Sequence, residues 1–300
     1  MWSTLLEQIE QGEEKAIARG ISLVENEFKG YEELLQSLPH QQIPIIGITG
    51  PPGAGKSTLV DSLIEELVKN KKKIAILCID PSSPFNLGAL LGDRIRMSEW
   101  YNHPNVFIRS LATRGSLGGL HPKIIEITEL LKASVFDYII VETVGVGQSE
   151  IEIAGLADTT VVVLVPEAGD EVQTMKAGLM EIADVFVVNK SDRPEAALFV
   201  KNLRLMLAPA FNKQEEEIAV IKTVASQKKG ITELWEAISV HLSLNQNPQQ
   251  KAWLLTERAY QLIQSKRMKD IDKRLLKEKI ESQLKQGVFN LYSFVQTIPD

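Results

Sequence analysis

The sequence predicts an α/β protein with a doubly wound, mostly parallel sheet and with helical extensions at its N-terminal and C-terminal ends. Two observations support this fold class. Between about residues 43 and 243, short uninterrupted runs of Val, Ile and Leu alternate with segments whose apolar residues recur at helical spacing. Outside that region only helical periodicity is present. Alternation of strand and helix is typical of a parallel sheet covered by helices on both faces.

The chain divides into three predicted regions. Residues 1–42 form an N-terminal helical arm of two or three short helices, which Pro39 closes. Residues 43–243 form the α/β domain. Residues 244–300 form a C-terminal helical arm, because the composition becomes polar at 245–248 and helical spacing resumes over 250–285.

Seven strands and six helices are predicted within the α/β domain. The strands cover residues 43–49, 73–79, 106–110, 138–142, 160–165, 185–189 and 219–223. The helices lie near residues 56–69, 120–133, 148–156, 171–182, 194–208 and 230–243. In such a fold, ligands bind at the carboxyl ends of the strands.

The composition limits the possible functions. Apolar residues make up 44% of the chain, and the net charge of −6 gives no reason to expect nucleic-acid binding. The single cysteine, Cys78, excludes an internal disulfide framework and a multi-cysteine metal site. No secretory signal begins the chain, and no apolar run approaches the length of a membrane span. We therefore expect a soluble, cytoplasmic protein that binds neither nucleic acid nor membrane.

A glycine-rich segment between the first strand and the first helix of the α/β domain has the spacing G-x-x-x-x-G-K-S. In this context glycines let backbone N–H groups turn towards an anion, and the helix N-terminus adds partial positive charge. A chance turn is disfavoured because strand and helix are both in place. The segment therefore predicts a phosphate cradle for a nucleoside triphosphate, formed by Gly50, Pro51, Pro52, Gly53, Ala54, Gly55, Lys56, Ser57 and Thr58.

Acidic residues at strand ends predict a Mg²⁺ site beside the cradle. Glu142 ends an apolar strand, as in a Walker B motif, and the nearby Gly145 is placed to offer an N–H to the γ-phosphate. Asp80 ends the second strand, although an Asp-Pro turn is the alternative there, and Asp93 follows in the next loop. We expect Ser57, Asp80, Asp93 and Glu142 to be linked to the metal.

The segment Asn189-Lys190-Ser191-Asp192 follows an apolar strand and has the pattern N-K-x-D. The Asp192 carboxylate can accept two hydrogen bonds from guanine, whereas adenine offers no such pair of donors, so the pattern selects GTP over ATP. Asn189 and Lys190 would support the base and its loop. The segment Thr223-Val224-Ala225-Ser226 predicts a second guanine contact through the Ala225 and Ser226 backbone.

The predicted chemistry is attack of water on the γ-phosphoryl group without a covalent intermediate. Lys56, Glu142 and Asp80 are the candidate catalytic residues. Val146, not glutamine, follows Gly145, so the water-positioning group of small GTPases is missing from its usual place and slow intrinsic turnover is expected.

Two further loops lie at strand ends. Arg114, in a glycine-rich loop, is either an internal arginine finger or part of an ion pair. Gln173 and Lys176 either face the nucleotide or a partner or belong to a solvated helix start.

Together these segments resemble the MeaB/ArgK family of GTPases, the methylmalonyl-CoA mutase-associated chaperones. The resemblance covers nearly the whole chain and is carried by residues 47–58, 80–83, 113–120, 142–150 and 189–192. The run Glu-Thr-Val-Gly-Val-Gly-Gln at 142–148 is its most specific part.

The resemblance implies a homodimer assembled through the C-terminal helices, with bound GTP or GDP and Mg²⁺. It also implies slow GTP hydrolysis that an adenosylcobalamin-dependent acyl-CoA mutase accelerates, in a protein that gates cofactor loading and protects or reactivates the mutase. The loop around Gln173 and Lys176 would be a partner-responsive switch. Cobalamin would belong to the mutase, because this chain lacks the D-x-H-x-x-G pattern.

Two alternatives remain. One is a GTPase metallochaperone of the hydrogenase or urease maturation type, although such proteins usually carry metal tracts rich in His or Cys and only scattered histidines occur here. The other is a kinase for a transport protein, which would need an acceptor-hydroxyl site and a catalytic base that the sequence does not display.

Overall fold

The structure, a computed structural model, describes residues 2–80, 97–113, 120–144, 150–167, 179–211, 218–244, 248–268, 271–285, 287 and 289–297. The chain forms two compact units, Met1–Asn247 and Pro248–Asp300, and each is described by itself.

A seven-stranded sheet forms the centre of the first unit. Its strands are β1 Ile45–Thr49, β2 Ile74–Asp80, β3 Val106–Ala112, β4 Tyr138–Glu142, β5 Thr159–Leu164, β6 Val185–Val188 and β7 Ala219–Lys222. Their spatial order is β3-β2-β4-β1-β5-β6-β7, and every neighbouring pair is parallel. The predicted α/β fold with a mostly parallel sheet is therefore confirmed.

The register of the strands brings the polar strand ends to one edge of the sheet. Glu142 pairs with Ile48 on one side and with Cys78 on the other, so Asp80 lies two residues beyond that level on its strand. Because all strands run in the same direction, their carboxyl ends share this edge, where α/β proteins place their ligands.

Helices follow most of the strands. They are α1 Trp2–Glu10, α2 Glu14–Glu25, α3 Tyr31–Gln36, α4 Lys56–Lys69, α5 Ile124–Lys132, α6 Glu150–Leu156, α7 Leu179–Ile182, α8 Ala196–Phe211 and α9 Ile231–Leu244 in the first unit, with short 3₁₀ turns at Ser98–Trp100 and Ala225–Gln227. The second unit contains α10 Pro248–Arg267, α11 Lys273–Lys285 and α12 Leu291–Gln296. None of the described helices is both long enough and apolar enough to cross a membrane.

The core lies on both faces of the sheet. On one face α4 and α9 bury apolar side chains such as Leu63 and Leu234 against the strands. On the other face α8 packs Leu203 and Leu207 against Phe186. Burial on both faces explains why the strands are continuous Val and Ile runs rather than alternating patterns.

The N-terminal helices pack against one another and against α5. Ile9, Ile17 and Ile21 are fully buried there. Arg109 of β3 is 3.1 Å from a Glu25 carboxylate oxygen and 3.1 Å from the Ser22 hydroxyl. These contacts attach α2 to the sheet.

A partly buried lysine adds a second polar link in this region. Lys123 Nζ lies 2.8 Å from Glu27 and donates a hydrogen bond to the Tyr31 hydroxyl at 3.4 Å. Burial by itself lowers the pKa of Lys123, but Glu27 and Glu126 outweigh it, so the pKa of Lys123 is raised and the side chain stays charged.

Several element boundaries differ from the predicted ones. The first strand begins at Ile45 rather than residue 43, since Pro44 has no N–H to donate to a neighbouring strand. The helix predicted over 120–133 is shorter, Ile124–Lys132. Of the helix predicted over 171–182, the described residues contain Leu179–Ile182.

The C-terminal stretch predicted as helical over 250–285 contains two helices, and the second is preceded by Asp272, whose carboxylate accepts a hydrogen bond from the Arg274 N–H at 2.7 Å. The helix α12 was not predicted. It begins after Asn290, whose side-chain oxygen accepts from the Ser293 N–H at 3.1 Å.

Candidate nucleotide site

The turn of residues 50–55 joins β1 to α4 and has the backbone of a phosphate cradle. Gly53 and Gly55 have φ values of 76° and 89°, which residues other than glycine rarely adopt. A Cβ atom on Gly55 would lie 2.5 Å from Asn189 Nδ2, whereas one on Gly53 would have nothing within 4 Å. Gly55 is therefore required by both its backbone and a close contact, and Gly53 by its backbone alone.

Lys56 is the first residue of α4 and is buried, with 7% of its surface exposed. Its ammonium donates hydrogen bonds to the carbonyl oxygens of Gly50, at 2.8 Å, and Pro51, at 3.1 Å. The positive charge is thus held against the cradle by two carbonyl oxygens of the same turn. Of the other predicted cradle residues, Ala54 is buried, Thr58 is half-buried and Pro52 is exposed.

A hydroxyl and a carboxylate meet beside the cradle. The Ser57 hydroxyl donates to Glu142 Oε1 at 2.7 Å, and both residues are buried. Asp80, with 5% of its surface exposed, ends the neighbouring strand β2. Hydroxyl and carboxylate oxygens are the ligands that Mg²⁺ prefers, so the donor set at this edge fits that ion.

Asp93, the other predicted metal ligand, lies outside the described residues, and so does Gly145, which was predicted to offer an N–H to the γ-phosphate. Arg114, Gln173 and Lys176 also lie outside them. Within the part of the chain that the structure describes, no group of three or more His, Cys, Asp or Glu side chains is placed to hold a metal ion. The described donor set therefore consists of the Ser57 hydroxyl with the carboxylates of Glu142 and Asp80.

Asn189 connects three loops at the carboxyl edge of the sheet. Its Nδ2 donates to the Ala54 carbonyl at 3.0 Å, in the cradle. Its Oδ1 accepts from the Thr223 hydroxyl and from the Ala225 N–H, both at 3.1 Å. The same buried side chain thus holds the cradle, its own loop and the segment after β7 in fixed positions.

Lys190 makes a second link to the cradle. Its backbone has a φ of 55°, uncommon for a residue other than glycine, and its Nζ donates to the Gly53 carbonyl at 2.8 Å. The stem of this side chain therefore bridges the N-K-x-D loop and the glycine-rich turn.

The loop that carries Asp192 is held by backbone and hydroxyl contacts. The Ser191 N–H donates to the Thr223 carbonyl at 3.0 Å, and the Ser191 hydroxyl donates to the Val188 carbonyl at 2.6 Å. Asp192 itself is exposed, as is Ser226, whereas Ala225 is buried. The carboxylate therefore faces solvent from a fixed loop, where a ligand can reach it.

Two buried polar residues in this region were not singled out from the sequence. Thr49 is the last residue of β1 and Thr143 comes directly after β4, and their hydroxyl oxygens are 2.9 Å apart. Both residues lie at strand ends beside the predicted motifs, and this position is the only feature of the sequence that could have indicated them.

The strand–turn–helix cradle, the hydroxyl–carboxylate pair and the Asn-Lys-x-Asp loop at one sheet edge define a P-loop nucleoside triphosphatase. A family model described as "Methylmalonyl Co-A mutase-associated GTPase MeaB" matches residues 17–282. The chain belongs to the MeaB family of GTPases, which confirms the resemblance found in the sequence, and it is accordingly a GTP hydrolase.

Individual relatives agree with this assignment. A Pyrococcus abyssi protein named as a GTPase is 45% identical over 294 residues, which cover 96% of this chain and 89% of that protein. The mitochondrial methylmalonic aciduria type A homolog of Mus musculus is 34% identical over 279 residues, covering 81% of this chain and 66% of the mouse protein. The crystal structure of LAO/AO transport system kinase has a TM-score of 0.66 at 25% identity, covering 99% of this chain and 95% of that one.

The two glycines of the cradle provide a matched test of the Asn189 contact. We expect Gly55→Ala to weaken binding of GDP at least about tenfold more than Gly53→Ala does, because only the former methyl group collides with the amide that holds the Ala54 carbonyl. Titration with a fluorescent GDP analogue measures both dissociation constants. Equal losses in the two variants would mean that backbone strain alone explains the glycines.

Proposed function

We propose that this GTPase binds GTP together with Mg²⁺ at the carboxyl edge of its sheet and serves as a chaperone for an adenosylcobalamin-dependent acyl-CoA mutase of the methylmalonyl-CoA type. In this role it gates loading of the cofactor and protects or reactivates the mutase. The observation that carries the nucleotide assignment is the Asn189 side chain, which joins the cradle at Ala54 to the loop of Asp192.

Selection of guanine rests on the Asp192 carboxylate. It accepts hydrogen bonds from the guanine N1–H and the 2-amino group, and adenine leaves it without that pair of donors. The contacts of Ser191 to Thr223 and Val188 support this role, because they fix the loop before the base arrives. The backbone of Ala225 and Ser226 forms the other side of the base site, with the Ala225 N–H engaged by Asn189.

The phosphates are held by the cradle and by Lys56. The Lys56 ammonium, which lies 2.8 Å and 3.1 Å from the carbonyl oxygens of Gly50 and Pro51, is placed to donate to β- and γ-phosphate oxygens. Ser57, Glu142 and Asp80 would hold the metal, and Asp93 would be a further ligand. When bound, Mg²⁺ neutralises charge on the phosphate oxygens. Glu142 and Ser57 are already paired, so little rearrangement is needed to present their oxygens.

Hydrolysis by the isolated chain should be slow. The residue after Gly145 is Val146, which cannot orient the attacking water through a side-chain amide. A partner protein that completes the site would then raise the rate of GTP hydrolysis, as expected for a GTPase whose activity depends on another protein.

The identity of the partner is supported by the comparisons rather than by a described surface. The matching family is named for its association with methylmalonyl-CoA mutase, and the mouse relative is named for methylmalonic aciduria type A. Both names refer to the methylmalonyl group, as its coenzyme A ester or as the free acid, and the chain resembles these proteins over most of its length.

We also propose that two copies of the chain form a homodimer through the C-terminal unit. Large apolar side chains of α10 are exposed, among them Trp253, Tyr260 and Ile263, with exposed fractions of 61%, 63% and 52%. Their spacing of seven and three residues places them on one side of the helix. Apolar surface of this kind marks a protein interface when it forms a continuous stripe.

Substitution of Asp192 tests base selection. Asp192→Asn should weaken GTP binding by about ten- to hundredfold, since the carboxylate that accepts two guanine hydrogen bonds is lost, while binding of XTP improves. Competition assays with GTP, XTP and ATP measure the change, and Glu195→Gln, another exposed acid near the start of α8, serves as the control. Unchanged preference for GTP in Asp192→Asn would remove the argument for the base.

Hydrolysis with candidate partners tests the chaperone role. We expect methylmalonyl-CoA mutase to raise the GTP turnover of this chain by about tenfold or more, which corresponds to roughly 1.4 kcal/mol of barrier. Ser57→Ala provides the inactive control, and isobutyryl-CoA mutase serves as the comparison client. Rates that stay equal with and without either mutase contradict the proposal. Transfer of labelled γ-phosphate to a protein instead of water would indicate a kinase.

The dimer is tested by charge placed on α10. Tyr260→Glu should convert the protein from twice the mass of one chain to a single chain, because the carboxylate would have to be buried in the interface. Gln261→Glu adds the same charge about 100° around the helix and should leave the dimer intact. Sedimentation equilibrium measures both masses. A monomeric wild-type chain, or an unaffected Tyr260→Glu variant, would exclude this interface.

A further inference from the structure

The segment after β7 forms a tight turn, residues 224–230, which we call the base turn. A bridge between Val224 and Lys229 closes it. Gly230 has a φ of 76°, and a Cβ there would lie 2.1 Å from the Lys222 carbonyl oxygen. The turn is therefore a fixed structure, and it carries the Ala225 and Ser226 backbone of the proposed guanine site.

Ser62 of α4 attaches the base turn to the helix that starts at the cradle. The residue is buried, with 4% of its surface exposed. Its hydroxyl lies 2.9 Å from the Ala225 carbonyl oxygen and 3.0 Å from the Thr58 carbonyl oxygen one helical turn earlier. The single hydroxyl hydrogen is shared between these two acceptors. The contact to Thr58 lies within α4, whereas the contact to Ala225 joins α4 to the base turn.

The Ser62 contact closes a ring of hydrogen bonds. The Ala225 carbonyl accepts from Ser62 and the Ala225 N–H donates to Asn189, so both polar groups of this residue are held. Asn189 then donates to Ala54, two residues before α4 begins at Lys56. The covalent chain from Ala54 to Ser62 completes the ring. The phosphate cradle and the base turn are thereby kept at one separation.

A second link between α4 and the base turn lies at the surface. Lys228 forms an ion pair with Glu65, one helical turn after Ser62. The Lys228 ammonium, with that of Lys69, holds the pKa of the Glu65 carboxyl below its ordinary value. Exposed ion pairs contribute little to stability, so the buried Ser62 contact is the stronger tie.

We propose that Ser62 is a positioning residue for guanine selection, which acts by holding the base turn against the helix of the phosphate cradle. This inference rests on the proposed guanine site. Without the Ser62 hydroxyl the Ala225–Ser226 backbone can shift relative to Asp192. Affinity that depends on the base then falls, whereas affinity that comes from the phosphates is kept.

Ser62→Ala tests the inference, because alanine suits a helix interior and leaves the cradle residues unchanged. We expect the dissociation constant of GDP to rise about fivefold, as for loss of one buried hydrogen bond, while that of inorganic tripolyphosphate stays the same. The control is Ser239→Ala, since the Ser239 hydroxyl likewise donates to a carbonyl four residues back, that of Trp235 at 2.8 Å. It should change neither constant.

The outcomes separate this inference from the guanine site itself. If the wild-type chain binds GDP no better than ADP, the guanine site is wrong. If the wild type prefers GDP and Ser62→Ala behaves like Ser239→Ala, the role of Ser62 is wrong. If Ser62→Ala weakens GDP and tripolyphosphate equally, with a lower melting temperature, Ser62 only stabilises the fold, and the inference is again overturned.

Discussion

The hydrogen bond from Asn189 to the Ala54 carbonyl is the interaction on which the arrangement of the site depends. Backbone loops at a sheet edge are not fixed by the strands alone, and each of the three loops here comes from a different strand. A buried amide can donate and accept at once, so the Asn189 side chain, which belongs to one loop, satisfies groups on the other two. Loss of the Asn189 side chain would remove its three hydrogen bonds together, so the network is cooperative.

The parallel sheet supplies the rest of the arrangement. Because the strands run in one direction, the cradle, Asp80, Glu142 and Asn189 come to one edge although they are far apart in the sequence. The core on both faces keeps the strands in register. The residues proposed to bind phosphate, metal and base are thereby placed on a rigid support, in the loops that follow the strands.

The strands and the main motifs could be predicted because their signals are local. A continuous run of Val and Ile indicates a strand that is buried on both faces of the sheet, and the spacing of the glycines indicates a turn. The role of Ser62 and the pairing of Thr49 with Thr143 could not be predicted, since each depends on a hydrogen bond between residues far apart in the sequence, by 163 and 94 positions. For α12, a six-residue helix, the apolar pattern was too short to recognise.

The central position of β1 has a consequence for how the chain is made. The Ile45 N–H donates to the Asp158 carboxylate, 113 residues later, and the neighbours of β1 are β4 and β5. During synthesis at roughly 5–20 residues per second, this apolar strand waits on the order of ten seconds for its partners. Ribosome-bound chains shorter than about 160 residues would therefore expose Ile45, Ile46 and Ile48 and be prone to aggregate, so early folding would benefit from holdase chaperones.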